Sequence, residues 1–97
     1  MAFHLAGAVA AHTTRPVIGI PIESGGMGGI DSLLSTAMMP PGVPVATVAV
    51  GKSGAKNSAI LAVQILATAD ENLSVKLTDY KNNMRDVVLK KDKALNS

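Results

Sequence analysis

The stretch Val43 to Leu66 reads VPVATVAVGKSGAKNSAILAVQIL and constrains the fold more than any other part of the chain. A nearly continuous apolar strand runs into a Gly/Lys/Ser turn, and an Ala- and Ile-rich helix follows. A strand apolar at successive positions has to be covered on both faces, as parallel strands are. A second run of this kind, Arg15 to Ile22 (RPVIGIPI), lies upstream. Two parallel strands cannot bury themselves. The pattern therefore predicts part of an α/β layered fold whose remaining strands are not in these 97 residues.

Composition points the same way. Ninety-seven residues form one domain at most, and a chain of this size buries only about 60–65% of its unfolded surface. Hydrophobic residues make up 47% of the chain, yet the aromatics are only Phe3 and Tyr80, so the core has to be built from small aliphatic side chains. That much apolar surface predicts extensive contact between subunits. With no cysteine there is neither a disulfide framework nor a thiolate metal site, which fits a cytoplasmic protein. The net charge of +2 is local: Lys76 to Lys93 holds six Lys/Arg and three Asp. No aromatic or Arg-rich pattern accompanies it, so it reads as a solvated helix face and not as a nucleic-acid surface. The apolar start, Met1 to Ala11, has no basic leader and is rejected as a signal peptide. The uncharged stretch 32–51 contains Pro40, Pro41 and Pro44, which argue against a membrane-spanning helix.

Along the chain, His4 to Thr13 reads as a short buried helix. Val17 to Ile22 reads as a strand opened by Pro16. Glu23 to Gly29 is a glycine-rich loop. A helix from Gly29 or Asp31 to Ala37 carries Ile30, Leu33, Leu34 and Ala37 on one stripe. The Pro-Pro-Gly break ends it, and Val45 to Val50 forms the second strand. Asn57 or Ser58 can cap an enclosed helix reaching Thr68. Asp70 to Asn72 caps a last helix, 71–95, with Leu73, Leu77, Tyr80, Met84 and Val87 on one apolar stripe. The strand–helix–strand unit has a crossover of some twenty residues, which suits a right-handed parallel connection.

Few motifs carry chemistry. Gly51-Lys52-Ser53 sits between strand and helix, but the glycine a P-loop needs five residues earlier is Ala46, inside the strand. A tight strand-to-helix turn is the preferred reading, with a weaker anion role for Lys52 and the helix N-terminus left open. The loop Gly25 to Gly29 is not a dinucleotide fingerprint, because its third glycine position falls on Asp31. It is either a connector or a backbone that passes close to a ligand or another subunit. His4 and His12 lie eight apart, too far for a paired helical metal site. No spacing supports a nucleophilic triad or a carboxylate pair, so no metal is expected and no catalytic residue is assigned.

Four segments together resemble a known family. These are His4 to Ala10 (HLAGAVA), Pro16 to Ile22 (PVIGIPI), Gly29 to Ser35 (GIDSLLS) and Met39 to Val50 (MPPGVPVATVAV). They resemble the C-terminal part of class I 5-(carboxyamino)imidazole ribonucleotide mutase, the catalytic subunit of bacterial AIR carboxylase. The similarity continues through the Ala/Asn-rich helix from Asn57 to Leu66. The resemblance implies a three-layer, flavodoxin-like (Rossmann-type) parallel α/β fold, of which residues 1–97 are the C-terminal portion. It implies a cytoplasmic homo-octamer in purine biosynthesis, with the C-terminal helix packed on neighbours and no organic cofactor or metal. The reaction it implies moves a carboxylate from the exocyclic nitrogen of an imidazole ribonucleotide to ring carbon, through carbon dioxide held in a closed pocket.

The departures from the family pattern bear on activity. The family's Gly-Ser-x-Ser-Asp phosphate loop and its Ser-Ala-His-Arg-Thr-Pro catalytic loop have no counterpart here. Ala6 stands where the family's His-Leu-Pro-Gly has proline, and Met38 stands where glutamine precedes Met-Pro. His4 and Leu5 match pocket-lining positions and carry over as substrate-binding residues. Met39 and Pro40 are expected to approach the same pocket from this or a neighbouring subunit, although Met39 reads equally well as core filler. His12 matches no functional position. The resemblance thus predicts a chain that is inactive alone. A non-catalytic assembly or binding module, or a chain completed by a separate polypeptide, are the alternatives.

Overall fold

A computed structural model describes residues 5–22 and 29–96. The order is α1 (Leu5–Ala11), β1 (Ile18–Gly19), α2 (Ile30–Ala37), β2 (Ala46–Thr47), α3 (Gly51–Ala67) and α4 (Glu71–Asn96). The chain falls into two compact units, Met1–Leu61 and Ala62–Ser97, with the division inside α3.

The first unit is built on a parallel pair. Ile18 stands opposite Ala46 and Gly19 opposite Thr47, and the Ala46 amide donates to the Val17 carbonyl at 3.0 Å. The parallel strand–helix–strand arrangement expected from the two apolar runs is therefore present. The strands are shorter than the predicted Val17–Ile22 and Val45–Val50, because each has a partner on one side only among the described residues. The connection between them, 20–45, is correspondingly longer than the predicted crossover.

Gly19 is the tight point of this unit. A Cβ there would lie 2.6 Å from Thr36 Cγ2, 3.0 Å from Val45 Cγ1 and 3.4 Å from Ala6 Cβ. The missing side chain lets α1, α2 and the lead into β2 close on β1. Val45 is buried there, and Pro21, two residues after Gly19, is buried as well.

The local chemistry explains the helix boundaries. Gly29 precedes α2 in the left-handed region (φ 82°, ψ 12°), and its carbonyl accepts the Leu33 amide at 2.8 Å. At the other end, Val43 donates to the Pro40 carbonyl at 3.2 Å across Pro41 and Gly42. Gly42 has φ 96°, so this is proline-then-glycine turn chemistry, and it stops the helix where the sequence indicated. The predicted α2 boundaries hold, but Ile30 and Leu34 of its stripe are exposed.

Expectations for two of the helices need correction. Helix α1 ends at Ala11, short of the expected Thr13, and is not buried, with Leu5 and Val9 exposed and Gly7 the one buried residue of the helix. Helix α3 begins at Gly51, not at Asn57 or Ser58. Asn57 caps nothing; its Nδ2 donates to the Val48 carbonyl at 3.1 Å and ties the second turn of α3 to the end of β2. Nor is α3 enclosed among the described residues, since only its Gly54 and Ser58 are buried and Leu66 is 62% exposed.

In the second unit, the Thr68 hydroxyl donates to the Ile65 carbonyl at 2.7 Å where α3 ends. Asp70 Oδ1 then accepts the Leu73 amide at 3.2 Å, the N-cap expected for α4. On the predicted stripe Leu73, Leu77 and Tyr80 are half-buried, whereas Met84 and Val87 are exposed. No helix among the described residues is long and apolar enough to cross a membrane.

Candidate functional site

Two places in the first unit merit a chemical reading. One is an open cleft of about 480 Å³ beside β1. Leu5, Ala6 and Val9 of α1 form one wall, and Val17 to Ile20 form the floor, with Ile22 and Thr36 at the margins. The side chains that line it are apolar except for Thr36, whose hydroxyl already donates to the Ser32 carbonyl at 2.9 Å. Among the described residues, none that lines it carries a charge. The described lining residues supply nothing to neutralise a phosphate or to move a proton.

The other place is the junction between the ends of the strands and α3. The Gly51 amide donates to the Pro21 carbonyl at 2.8 Å. Gly54 faces the backbone of Ala49, and a Cβ there would run into the Ala49 carbonyl oxygen and lie 3.4 Å from Ile20 Cγ2. Ala49 itself has φ 147° and Gly51 has φ 67°. A positive φ is costly for any residue with a Cβ, so Ala49 stores strain at the carboxyl end of β2. Lys52 and Ser53 lie in the first turn of α3 and are exposed. The Gly-Lys-Ser motif is thus the start of a helix and not a loop, in line with rejecting a P-loop. Two buried hydroxyls, Thr47 Oγ1 and Ser58 Oγ, have no hydrogen-bond partner among the described residues.

The residues assigned from sequence fall as follows. His4 lies outside the described residues, as does the glycine-rich stretch 23–28. Leu5 is the first residue of α1, 61% exposed, and it lines the cleft. Met39 is half-buried and Pro40 exposed; both belong to the return segment that leads into the amino end of β2, and neither lines the cleft. Leu5 is therefore not brought together with Met39 and Pro40 in this cleft. Among the described residues no three His, Asp or Glu side chains are grouped so as to hold a metal ion.

Sequence reasoning missed the strained Ala49 and the link from Asn57 to Val48. Alanine carries no signal of a positive φ. Asn57 was visible as a hydrogen-bonding residue near a turn, but its spacing suggested the wrong partner.

Comparison with known proteins identifies the scaffold. The family described as AIR carboxylase matches residues 1–87. The N5-carboxyaminoimidazole ribonucleotide mutase of Bacillus subtilis (strain 168) is 52% identical over 88 residues, covering 91% of this chain and 54% of that protein. The protein of the same name from Escherichia coli (strain K12) is 50% identical, covering 91% of this chain and 52% of that one. The Methanocaldococcus jannaschii protein of that name is 47% identical over 92 residues, covering 95% and 57% respectively. The chain spans about half the length of the curated relatives it matches. With a family match over almost its whole length, the chain belongs to the AIR carboxylase family.

Proposed function

We propose that these 97 residues form the C-terminal half of a mutase-type, three-layer flavodoxin-like fold acting in purine biosynthesis. The reaction is conversion of 5-(carboxyamino)imidazole ribonucleotide to 4-carboxy-5-aminoimidazole ribonucleotide by carboxylate transfer, with no metal or organic cofactor. The observation that carries this reading is the parallel β1–β2 pair, in register, within a chain about 50% identical to named mutases. Packing supports the layered form. Gly19 receives α1 and α2, whereas Ile20, the next residue, approaches Gly54 of α3. Adjacent strand residues point to opposite faces, so the two contacts suit helices on both sides of the sheet.

In this reading His4, Leu5, Met39 and Pro40 bind the imidazole ribonucleotide. Leu5 comes from the start of α1, and Met39 and Pro40 come from a neighbouring copy in a cytoplasmic homo-octamer. The group that handles the proton belongs to the half of the fold outside these residues, and so does the loop that holds the phosphate. General acid–base catalysis is worth ~10²–10⁴-fold, and lost positioning adds to that. The chain by itself is therefore expected to show no turnover in a spectrophotometric assay of 4-carboxy-5-aminoimidazole ribonucleotide formation. Restoration of turnover on adding the first half of the Bacillus subtilis mutase supports the reading. Turnover by the purified chain alone discards the view that the reacting group lies elsewhere.

A second reading, an assembly module without catalysis, is favoured by α4. Its exposed Val88, Leu89 and Leu95 suit packing against other copies and need no ligand. Restored turnover would also discard this alternative.

A further inference from the structure

The second half of α4 has no cover among the described residues. Every residue from Lys81 to Asn96 is exposed, whereas Leu73, Leu77 and Tyr80 earlier in the helix are half-buried. Met84, Val88, Lys91 and Leu95 follow at intervals of four, three and four, so they form one stripe along the helix. Met84 is 45%, Val88 64% and Leu95 86% exposed. Lys91 interrupts the stripe only with its ammonium tip, because its stem is apolar. Helices in proteins owe most of their stability to the packing of such a face, so the stripe calls for a partner.

Two charges beside the stripe say which partner. Arg85 and Asp92 border it on the same side, two turns apart. That separation is roughly 10 Å along the axis, so the pair cannot meet within one helix. Neither has an opposite charge three or four residues away to pair with instead. Asp92 Oδ1 accepts the Asn96 side-chain amide at 3.0 Å, which leaves the other carboxylate oxygen for a cation.

We propose that this half of α4 pairs antiparallel with the same half of α4 in a second copy of the chain. With Met84 set against Leu95 of the second copy, the heptad geometry sets Val88 against Lys91. It also brings Arg85 to Asp92 of the second copy. A twofold axis repeats each contact, so both arginines and both aspartates find partners and the contact closes on itself. The ion pairs fix orientation and register, and the apolar stripe supplies the affinity. A parallel pair would instead lay Lys91 on Lys91, like charge on like. Val88, Lys91, Asp92 and Leu95 lie beyond residue 87, where the family match ends, so the contact goes further than what the family shares. It is independent of the reaction proposed above.

The chain has no cysteine, so introduced cysteines report the contact directly. The test compares Met84→Cys, Leu95→Cys and the double variant under mild oxidation, all in the full 97-residue chain. Positions 84 and 95 are about 16 Å apart within one helix, so no disulfide can form inside a chain. The double variant is expected to give a disulfide-linked dimer, and each single variant is expected to give none. In the cysteine-free chain, Arg85→Asp and Asp92→Arg should each weaken association by about tenfold, read by sedimentation. The double charge exchange should restore it, which loss of a merely structural side chain would not allow.

A Met84→Cys chain that links to its own kind overturns the antiparallel register in favour of a parallel one. A double variant that forms no dimer overturns the pairing, even where light scattering still finds an oligomer held by other surfaces. Binding of phosphatidylserine vesicles by such an unlinked chain assigns the stripe to an anionic lipid surface. Charge exchange that fails to restore association overturns the register.

Discussion

The Gly51 amide and the Pro21 carbonyl, 2.8 Å apart, join the first turn of α3 to the chain leaving β1. Pro21 is fully buried, so its carbonyl oxygen needs a donor from within the protein, and Gly51 supplies one. Gly51 makes this bond at φ 67°, which side chains disfavour. Gly51→Ala keeps the donor but adds a left-handed alanine, at about 1–2 kcal/mol. The expected result is a lower urea midpoint with an unchanged slope. An unchanged midpoint would show that the turn relaxes without strain.

Close packing makes a stronger demand at Gly54. A Cβ there meets backbone, with the Ala49 carbonyl carbon 2.8 Å away, and backbone cannot swing aside as a side chain can. At Gly19 the nearest atoms are the side-chain tips of Thr36 and Val45. Overpacking costs typically about 1–3 kcal/mol, so Gly54→Ala is placed at the upper end and Gly19→Ala lower. Chemical denaturation of the two variants side by side checks the order. Gly19→Ala proving the more damaging would refute it.

Ala49 predicts the opposite sign. Its φ of 147° lies where alanine is strained, and its neighbours hold it there. Val48 is tied by Asn57, and Gly54 packs on the Ala49 carbonyl. Backbone strain of this kind costs about 1–3 kcal/mol, and glycine returns part of that as unfolded-chain entropy. Ala49→Gly is therefore expected to stabilise the fold by about 1 kcal/mol, seen as a raised melting temperature. A lowered melting temperature would mean that the alanine methyl makes contacts worth more than the strain.

These four positions also show where sequence reading reaches and where it stops. The parallel pair was legible because Val17 to Ile22 and Val45 to Val50 are apolar at successive positions. The boundaries of α2 and the Asp70 cap were legible because Pro-Pro-Gly and Asp–x–x–Leu act locally. The start of α3 was not. Gly51 looks like a turn residue and Asn57 like a cap, and only the three-dimensional return of β1 past α3 gives Gly51 its acceptor in Pro21. Burial was misjudged for a related reason. The apolar sides of α1 and α3 are patterned for cover that these residues do not themselves supply, so Leu5 and Leu66 stand exposed. Of the assigned site, Leu5 was legible as a residue beside β1; that Met39 and Pro40 lie apart from it depends on the connection looping back to the amino end of β2.

The second unit tests the assembly reading. Lys81, Met84, Arg85, Val88 and Leu89 border a shallow groove on α4, and Val88 is 64% exposed. An apolar stripe among lysines and arginines is stable in water only at a cost, and a valine or leucine side chain gains about 1.5–3 kcal/mol when buried. A carboxylate at Val88 removes that gain and adds a desolvation penalty on association. Val88→Glu, on a solvent-facing helix position, should leave the helical circular dichroism signal intact. It should also lower the mass measured by light scattering relative to the unaltered chain. An unaltered chain that is monomeric and cooperatively folded would defeat the octamer outright. A Val88→Glu variant of unchanged mass would remove this face of α4 from the interface.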